Sequence, residues 1–531
     1  VSTLLKSNLT VATGTALSRV SGLLRVFVFA YVIGQTLLAD SYKIANETPN
    51  IVYDLLLGGV LSATLVPLFS SFMGTDDDEP DDHATNVVIT VAATLMVVLT
   101  VIAVVLAPVI FRLYSLNLAD DIDKDLFRSV GTTLSRIFLV QILFYGLTGV
   151  ANAYLNSRRR FFAAAWSPIL PNVIIIVTLL SLPGAGDTTW TIGDVVTNDR
   201  LRWTLGLGAT AGIAAMAVAV VPAMAGAGLR FRPAFEFRHP AVRKLLVLSV
   251  WTIGFVAANQ VALLVIRNLA LGQGPGIASA YFDAFTWFVL PHGLLAVSIA
   301  TTFQPEMARA VVRKDRTGFV DQTSLGVRLI VLLTLPAAAG MFVLRAPIIG
   351  LMQRGQFDAL DASNTSRALA GLSVGLVGFS VYLFVLRGFY AHQDTRTPFV
   401  LNVGENLLNI LFAVVLVGRW GILGLGLAYA FAYLLSSIWA LTVLRDKVRG
   451  FSLRPIVGNL WKMGLAATLM AEAMWFVTKD VDADVGWHAI AQIVVGGSVG
   501  IVVYLVVLLT LGTSDVEVLT ARIRRLARRE R

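Results

Sequence analysis

Stretches of about 20 mostly apolar residues, each long enough to cross the hydrocarbon core of a bilayer as a helix, recur along the whole chain. They fall at residues 8–33, 46–72, 86–111, 129–155, 163–182, 204–228, 245–270, 279–307, 324–344, 368–391, 398–418, 421–443, 458–478 and 488–511. The pattern predicts an all-α integral membrane protein with about 14 transmembrane helices. Pro168 and Pro171, Pro291 and Pro336 sit inside these stretches and predict kinks, because proline removes a helical hydrogen bond that a neighbour or water must replace.

Composition agrees with the pattern. Hydrophobic residues make up 56% of the chain and charged residues 14%, with a mean hydropathy of +0.76, values far from those of a soluble domain. The chain has no cysteine, which excludes a disulfide framework, a thiolate metal site and a cysteine nucleophile. The first apolar stretch runs longer than a signal peptide's hydrophobic region and lacks a small-residue cleavage site, so it reads as a retained helix. Basic residues cluster in alternate loops, at Arg158–Arg160, Arg230–Lys244, Arg309–Arg316 and Arg445–Arg454, and in the tail from Arg522 to Arg531. With an even helix number this places both termini on the cytoplasmic side. The net charge of +9 lies beside helix ends, which points to anionic membrane lipids as partners rather than nucleic acid. The acidic run Asp76–Asp82 reads as a solvated linker.

Charges inside the spans carry the functional signal, since each costs at least about 2.5–3.5 kcal/mol at a bilayer centre and persists where it meets a partner or a watery cavity. Gly14, Thr15, Ser18, Arg19, Ser21, Gly22 and Arg25 fall in one sector of about 160° on the first helix. Glu47, Asn50, Asp54 and Gly58 share a face of the second. Two readings follow: Arg19 or Arg25 pairs with Asp40, Glu47 or Asp54 as a lock between helices, or the arginines line a cavity for an anionic head group. Arg267 is either a further cavity charge or an arginine reaching the interface. Asp283 and Trp287, one turn apart, either face the cavity or pack at a helix end. Glu405 with Asn402, Asn406 and Asn409 offers the oxygen ligands a hard cation needs, or the partners of interhelical hydrogen bonds. His292 reads as packed or hydrogen-bonded.

Three motifs stand out along the chain. The first runs from Ser18-Arg19, Gly22 and Arg25 through Gly34, Ala39-Asp40 and Pro49-Asn50 to Gly59-Val60-Leu61-Ser62-Ala63 and Val66-Pro67. The second is Gln353-Arg354-Gly355-Gln356-Phe357, Asp361, Thr365 and Ala368-Leu369, then Ser373–Gly378, Phe389-Tyr390-Ala391 and Asp394-Thr395-Arg396-Thr397-Pro398. A third, shorter one is Trp166-Ser167-Pro168-Ile169-Leu170-Pro171-Asn172. Together these motifs resemble those of the MurJ (MviN) lipid II flippases, and the resemblance implies two pseudo-related six-helix lobes, residues 1–228 and 229–443, followed by two extra helices and a basic tail over 444–531. It implies a bacterial plasma-membrane transporter that carries lipid II, or a related polyprenyl-diphosphate-linked glycan, from inner to outer leaflet by alternating access. Peptidoglycan synthesis or division proteins would be its partners. It requires no cofactor, with sodium or chloride as the candidate coupling ion.

By residue match Arg19, Arg25 and Asp40 carry over as substrate-site candidates, with Ser18 and Asn50 behind them. Guanidinium forks suit a diphosphate well. Two positions depart from the family pattern: Tyr53-Asp54 stands where many members carry a basic pair, and Thr286 where many carry an arginine. These leave a less positive cavity and bear on whether lipid II or another lipid-linked glycan is moved. The stretch Arg354–Arg367 reads as an outer amphipathic segment or external gate. An enzyme acting on such a lipid would need a polar catalytic loop; the longest outer loop, residues 183–202, holds Asp187, Asp194 and Asp199 without a metal-ligand cluster and reads as a turn. A cation exporter would prefer acidic walls to paired arginines, and a non-transporting wall-synthesis scaffold is the remaining alternative.

Overall fold

The structure, a computed structural model, describes residues 2–53, 60–72, 81–448, 450–481 and 484–512. Among these the chain is helical throughout its regular structure and divides into two compact units. Unit one holds Val1–Ser279 and Arg354–Phe357; unit two holds Ala280–Gln353 and Asp358–Arg531.

Unit one contains α1 (Ser2–Ile33), α2 (Leu37–Tyr53), α3 (Val60–Ser71), α4 (Asp82–Val105), α5 (Ala107–Leu113), α6 (Lys124–Phe138) and α7 (Gln141–Ser157). It continues with α8 (Phe162–Trp166), α9 (Ile169–Leu180), α10 (Asp194–Thr197), α11 (Asp199–Gly226) and α12 (Pro240–Leu271). Short polar side chains set several starts by accepting a hydrogen bond from an otherwise orphaned backbone N–H. Asp81 caps α4 through the Ala84 N–H at 2.8 Å, and Asn198 caps α11 through the Leu201 N–H at 3.1 Å. The expected kink at Pro168 is a complete break between α8 and α9. The second span differs from its sequence reading: α2 starts at Leu37 rather than residue 46, because its first-turn carboxylate, Asp40, is satisfied by backbone donors and can lie inside the fold. Most of the acidic run, at 73–80, lies outside the described residues, as does the basic tail beyond residue 512.

Unit two takes up α13 (Ile277–Pro291) from Ala280, then α14 (Val297–Val312), α15 (Arg316–Val343), α16 (Arg345–Gly350), α17 (Ala359–Val374), α18 (Leu376–Ala391), α19 (Arg396–Lys447), α20 (Arg454–Thr478) and α21 (Gly486–Thr510). A single wide turn of i→i+5 bonding at His292–Ala296 follows Pro291, a local adjustment that accommodates the proline. His292 there is hydrogen-bonded to Ser380, Nδ1 to Oγ at 3.0 Å. Ten helices among the described residues are long and apolar enough to cross a membrane, or eleven when α17 and α18, bent by 50°, count as one. The protein is therefore an all-α, multi-span membrane protein.

The 52-residue α19 is two antiparallel limbs joined at Gly421, whose backbone (φ 56°, ψ −134°) is open to glycine and strained for other residues. Phe412 on one limb meets Phe431 on the other with centroids 6.0 Å apart. The far ends are fastened by the Lys447–Asp394 ion pair, and Asp394 also accepts the Thr397 N–H at 3.0 Å. This explains the Asp394–Pro398 motif as the entry cap of the hairpin. Burial alone would raise the Asp394 carboxyl, but hydrogen bonds from Lys447 and Thr397, with the lysine's charge, hold it at about 2. A depressed carboxyl stabilises the fold above its ordinary value and loses that contribution as pH falls through 3.8 toward 2. Thermal unfolding in detergent should therefore weaken more steeply below about pH 4 in the wild type than in Asp394→Asn, which starts from a lower melting temperature at neutral pH; identical acid limbs would show that the clasp does not contribute.

Candidate functional site

Unit one concentrates polar side chains on α1, α2 and α12. Several of them are committed to partners within the unit among the described residues. Asp40, fully buried, accepts backbone N–H bonds from Gly276 and Ser279, both at 2.7 Å. Lys43 reaches the Ser279 carbonyl at 3.4 Å and stands over the Phe29 ring. Gly276 has φ +80° and leaves no room for a side chain: a Cβ there would lie 2.0 Å from the Gln35 carbonyl oxygen. One clasp thus joins the start of α2 to the turn between α12 and α13.

Deeper in, Glu47 and Arg267 form an ion pair, and the guanidinium lies 5.3 Å from the Tyr114 ring centre. Arg267 is only 3% exposed. It is neither an interfacial arginine nor open to a ligand in this arrangement. Its neighbour Asn268 accepts the Leu116 and Asn117 N–H groups at 2.7 and 3.0 Å and donates to the Leu113 carbonyl at 2.9 Å, tying α12 to the end of α5. Gln141 donates to Asn46 at 3.1 Å and to Thr210 at 3.3 Å, linking α7 with α2 and α11.

The polar face of α1 serves two purposes. One edge packs: Asn172 donates to the Ser21 hydroxyl at 3.0 Å and the Ser18 carbonyl at 3.3 Å, and Gly14 lies against Trp166, where a Cβ would be 2.7 Å from the indole. The Trp166–Asn172 motif is thus a joint between α1 and α8–α9, and Ser18 and Ser21 belong to it. Arg19 stands at the other edge and Arg25 lies about 120° from it, between Gly14 and Ser18; both are half-buried. Neither makes a hydrogen bond or ion pair among the described residues, although Arg25 lies within electrostatic reach of Tyr42. Asn50 is half-buried on α2, and Asp54 lies outside the described residues.

The Gln353–Phe357 motif also docks in unit one. Gln356 donates its backbone N–H to the Tyr31 carbonyl at 2.9 Å and its side-chain amide to the Gly186 carbonyl at 3.0 Å. Gly355, at φ +61°, would place a Cβ 2.4 Å from the Tyr31 carbonyl oxygen, which accounts for a glycine there. The loop after α9 is accordingly a docking platform rather than a bare turn.

In unit two, Asp283 is buried on α13, Trp287 donates to the Met352 sulfur at 3.2 Å, and Thr286 bonds back to the Phe282 carbonyl of its own helix at 3.1 Å. Asn402, Glu405, Asn406 and Asn409 are all buried on the first limb of α19. Tyr433 on the second limb hydrogen-bonds Glu405. Glu405 Oε1 and Asn409 Oδ1, one turn apart on the first limb, are buried with no hydrogen-bond partner among the described residues, and are oxygen atoms of the kind a hard cation takes as ligands. No group of three or more histidine, cysteine, aspartate or glutamate side chains gathers anywhere among the described residues.

The family described as "Lipid II flippase MurJ" matches residues 29–496. The chain belongs to this family. It is 28% identical over 488 residues to the probable lipid II flippase MurJ of Haemophilus influenzae, covering 88% of this chain and 91% of that one. With the probable lipid II flippase MurJ of Vibrio cholerae it shares 25% over 521 residues, 96% of each. In fold it is similar to a solved lipid II flippase MurJ in an inward closed conformation, with a TM-score of 0.76, 22% identity and coverage of 94% and 97%. An inward-facing multidrug transporter of the MATE family follows at 0.62, 13% identity and 81% and 94% coverage. Family membership makes the protein a transporter and not an enzyme.

The paired and unpaired charges should separate by stability. Arg267→Ala strands Glu47 in the fold and should cost about 3 kcal/mol, whereas Arg267→Met with Glu47→Leu should recover most of it. Arg19→Ala and Arg25→Ala should each stay within about 0.5 kcal/mol of the wild type. Detergent melting curves that showed the reverse order would make the α1 arginines structural.

Proposed function

We propose that this chain carries a polyprenyl-diphosphate-linked glycan, the chemical class of lipid II, from the inner to the outer leaflet of the bacterial plasma membrane by alternating access. The observation that supports this most is the contrast within unit one: Asp40, Lys43, Glu47 and Arg267 are each partnered, while Arg19 and Arg25 have no hydrogen bond or ion pair among the described residues. Charges left without partners on a membrane helix are affordable where an anion meets them. A diphosphate matches two guanidinium groups in charge and in fork geometry. Arg19 and Arg25 bind the head group, with Asn50 on α2 as a further contact. Ser18 sets α1 against α9, and Arg267 holds α2 and α12 in register.

The reading places about 14 crossings in order: α1, α2–α3, α4, α6–α7, α8–α9, α11, α12, α13–α14, α15, α17–α18, the two limbs of α19, α20 and α21. Both termini lie in the cytoplasm, two six-helix lobes span residues 1–228 and 229–443, and two further helices follow over 444–531. For the substrate to change sides, the Asp40 clasp on Gly276 and Ser279 opens and recloses in each cycle. Wall-synthesis or division proteins that use the delivered precursor are its partners.

Replacing the lipid II flippase of a bacterium with this chain should restore growth and outer-leaflet lipid II, detected with a probe that cannot cross the membrane. Arg19→Ala and Arg25→Ala should each abolish rescue at normal membrane levels. Rescue by both variants would remove the cationic site from the account. Rescue by neither the variants nor the wild type would assign the chain to a different lipid-linked glycan.

Glu405, Asn402, Asn406 and Asn409 would hold a sodium ion, whose positive charge would neutralise the buried carboxylate on the first limb of α19. Uptake in vesicles should then rise with an imposed sodium gradient, and Glu405→Gln should lose that response. A wild type indifferent to sodium would leave this set as a hydrogen-bonded knot.

A further inference from the structure

An apolar groove of 650 Å³ runs along unit one between α1, α8–α9 and α11. Leu17, Val20 and Leu24 form one wall, Phe162 and Trp166 a second, and Ala223 closes the third side. The groove is open: Val20 is 55% exposed and Phe162 62%. Leu17, Val20, Ser21 and Leu24 occupy the sector of α1 opposite Arg19. A molecule in the groove therefore leaves Arg19 uncovered.

What lies at one end of the groove determines its occupant. α8 is entered through Arg158-Arg159-Arg160. Arg158 is already engaged, bonded to the Ala227 carbonyl at 3.0 Å with its guanidinium 4.9 Å from the Tyr154 ring centre. Arg159 adopts a left-handed backbone at φ 57°, and the turn closes through the Arg160 N–H on the Leu155 carbonyl at 2.8 Å. That turn leaves Arg159 and Arg160 exposed directly before Phe161 and Phe162, the latter stacked on Trp166 at 5.5 Å. Where α11 leaves the same end of the groove, Arg230, Phe231 and Arg232 are exposed as well. Basic groups alternating with exposed aromatic rings at a helix end mark the level of lipid head groups.

We propose that this groove is a binding site for one anionic phospholipid, with an acyl chain between α1 and α11 and its phosphate on Arg159 and Arg160. The charge decides for an anionic rather than a zwitterionic lipid, since each basic residue near the surface favours an anionic head group. The groove wall of α1 faces away from Arg19 while Arg25 lies nearer its edge, so competition with a polyprenyl diphosphate separates a resident lipid from the substrate's tail. Such a lipid fills the gap beside the α1–α8 joint and steadies α1.

Native mass spectrometry of the purified full chain, supplied with phosphatidylglycerol or phosphatidylcholine, tests the site. The wild type should retain one phosphatidylglycerol with a preference on the order of tenfold over phosphatidylcholine. Arg159→Gln with Arg160→Gln should lose the preference but keep the melting temperature. Ala223→Phe, which fills the groove, should lose retention of both lipids. Equal retention of the two lipids by the wild type, or an unchanged preference in the double variant, would overturn the proposal. Displacement of phosphatidylglycerol by an equimolar polyprenyl diphosphate would also overturn it, by assigning the groove to the substrate's tail.

Discussion

Hydrocarbon cannot solvate a charge or an amide, so every polar side chain within a span must find its partner inside the protein or be kept for something that arrives. That constraint organises unit one. Glu47 and Arg267 neutralise each other across α2 and α12, Asp40 absorbs two backbone donors, and Gln141 and Asn268 each tie several helices. Every one of these links consumes a polar group and fixes a helix. Among the described residues Arg19 and Arg25 make no such link. Their isolation has meaning because the charges around them are not isolated.

The same constraint explains why motifs far apart in sequence act locally. The tryptophan, prolines and asparagine of residues 166–172 break one span into α8 and α9 and seat it on α1. The Gly355-Gln356 pair needs a left-handed turn to reach Tyr31 and Gly186. Asp394 begins the α19 hairpin and Lys447 closes it. In each case a polar or glycine residue is placed where an apolar one would leave backbone groups unmatched or collide with a neighbour.

The helices were legible in the sequence because a span must be apolar for about 20 residues whatever its neighbours do. The irregularities at Pro168 and Pro291 were legible because proline acts on its own backbone, whereas Pro336 lies within the continuous α15. The early start of α2 was not, since Asp40 breaks the hydropathy there and is tolerated only through donors more than 230 residues away. Pairing was hidden for the same reason: Glu47 and Arg267 could each be singled out as charges within spans, but nothing local says that they meet. Arg267 consequently looked available until its burial was seen. Asn172 was quoted in a motif without a role, and a polar residue two prolines into an apolar span was the signal that a neighbour waited for it.

The central claim is that Arg19 and Arg25 are held unpaired to receive a diphosphate. Its most direct test is the affinity of the purified chain in lipid nanodiscs for a polyprenyl-diphosphate glycan, compared between wild type, Arg19→Gln and Arg25→Gln. The account predicts that each substitution weakens binding by roughly tenfold or more, as loss of a charge-assisted contact should, with the melting temperature unchanged. Equal affinity in all three proteins would contradict it.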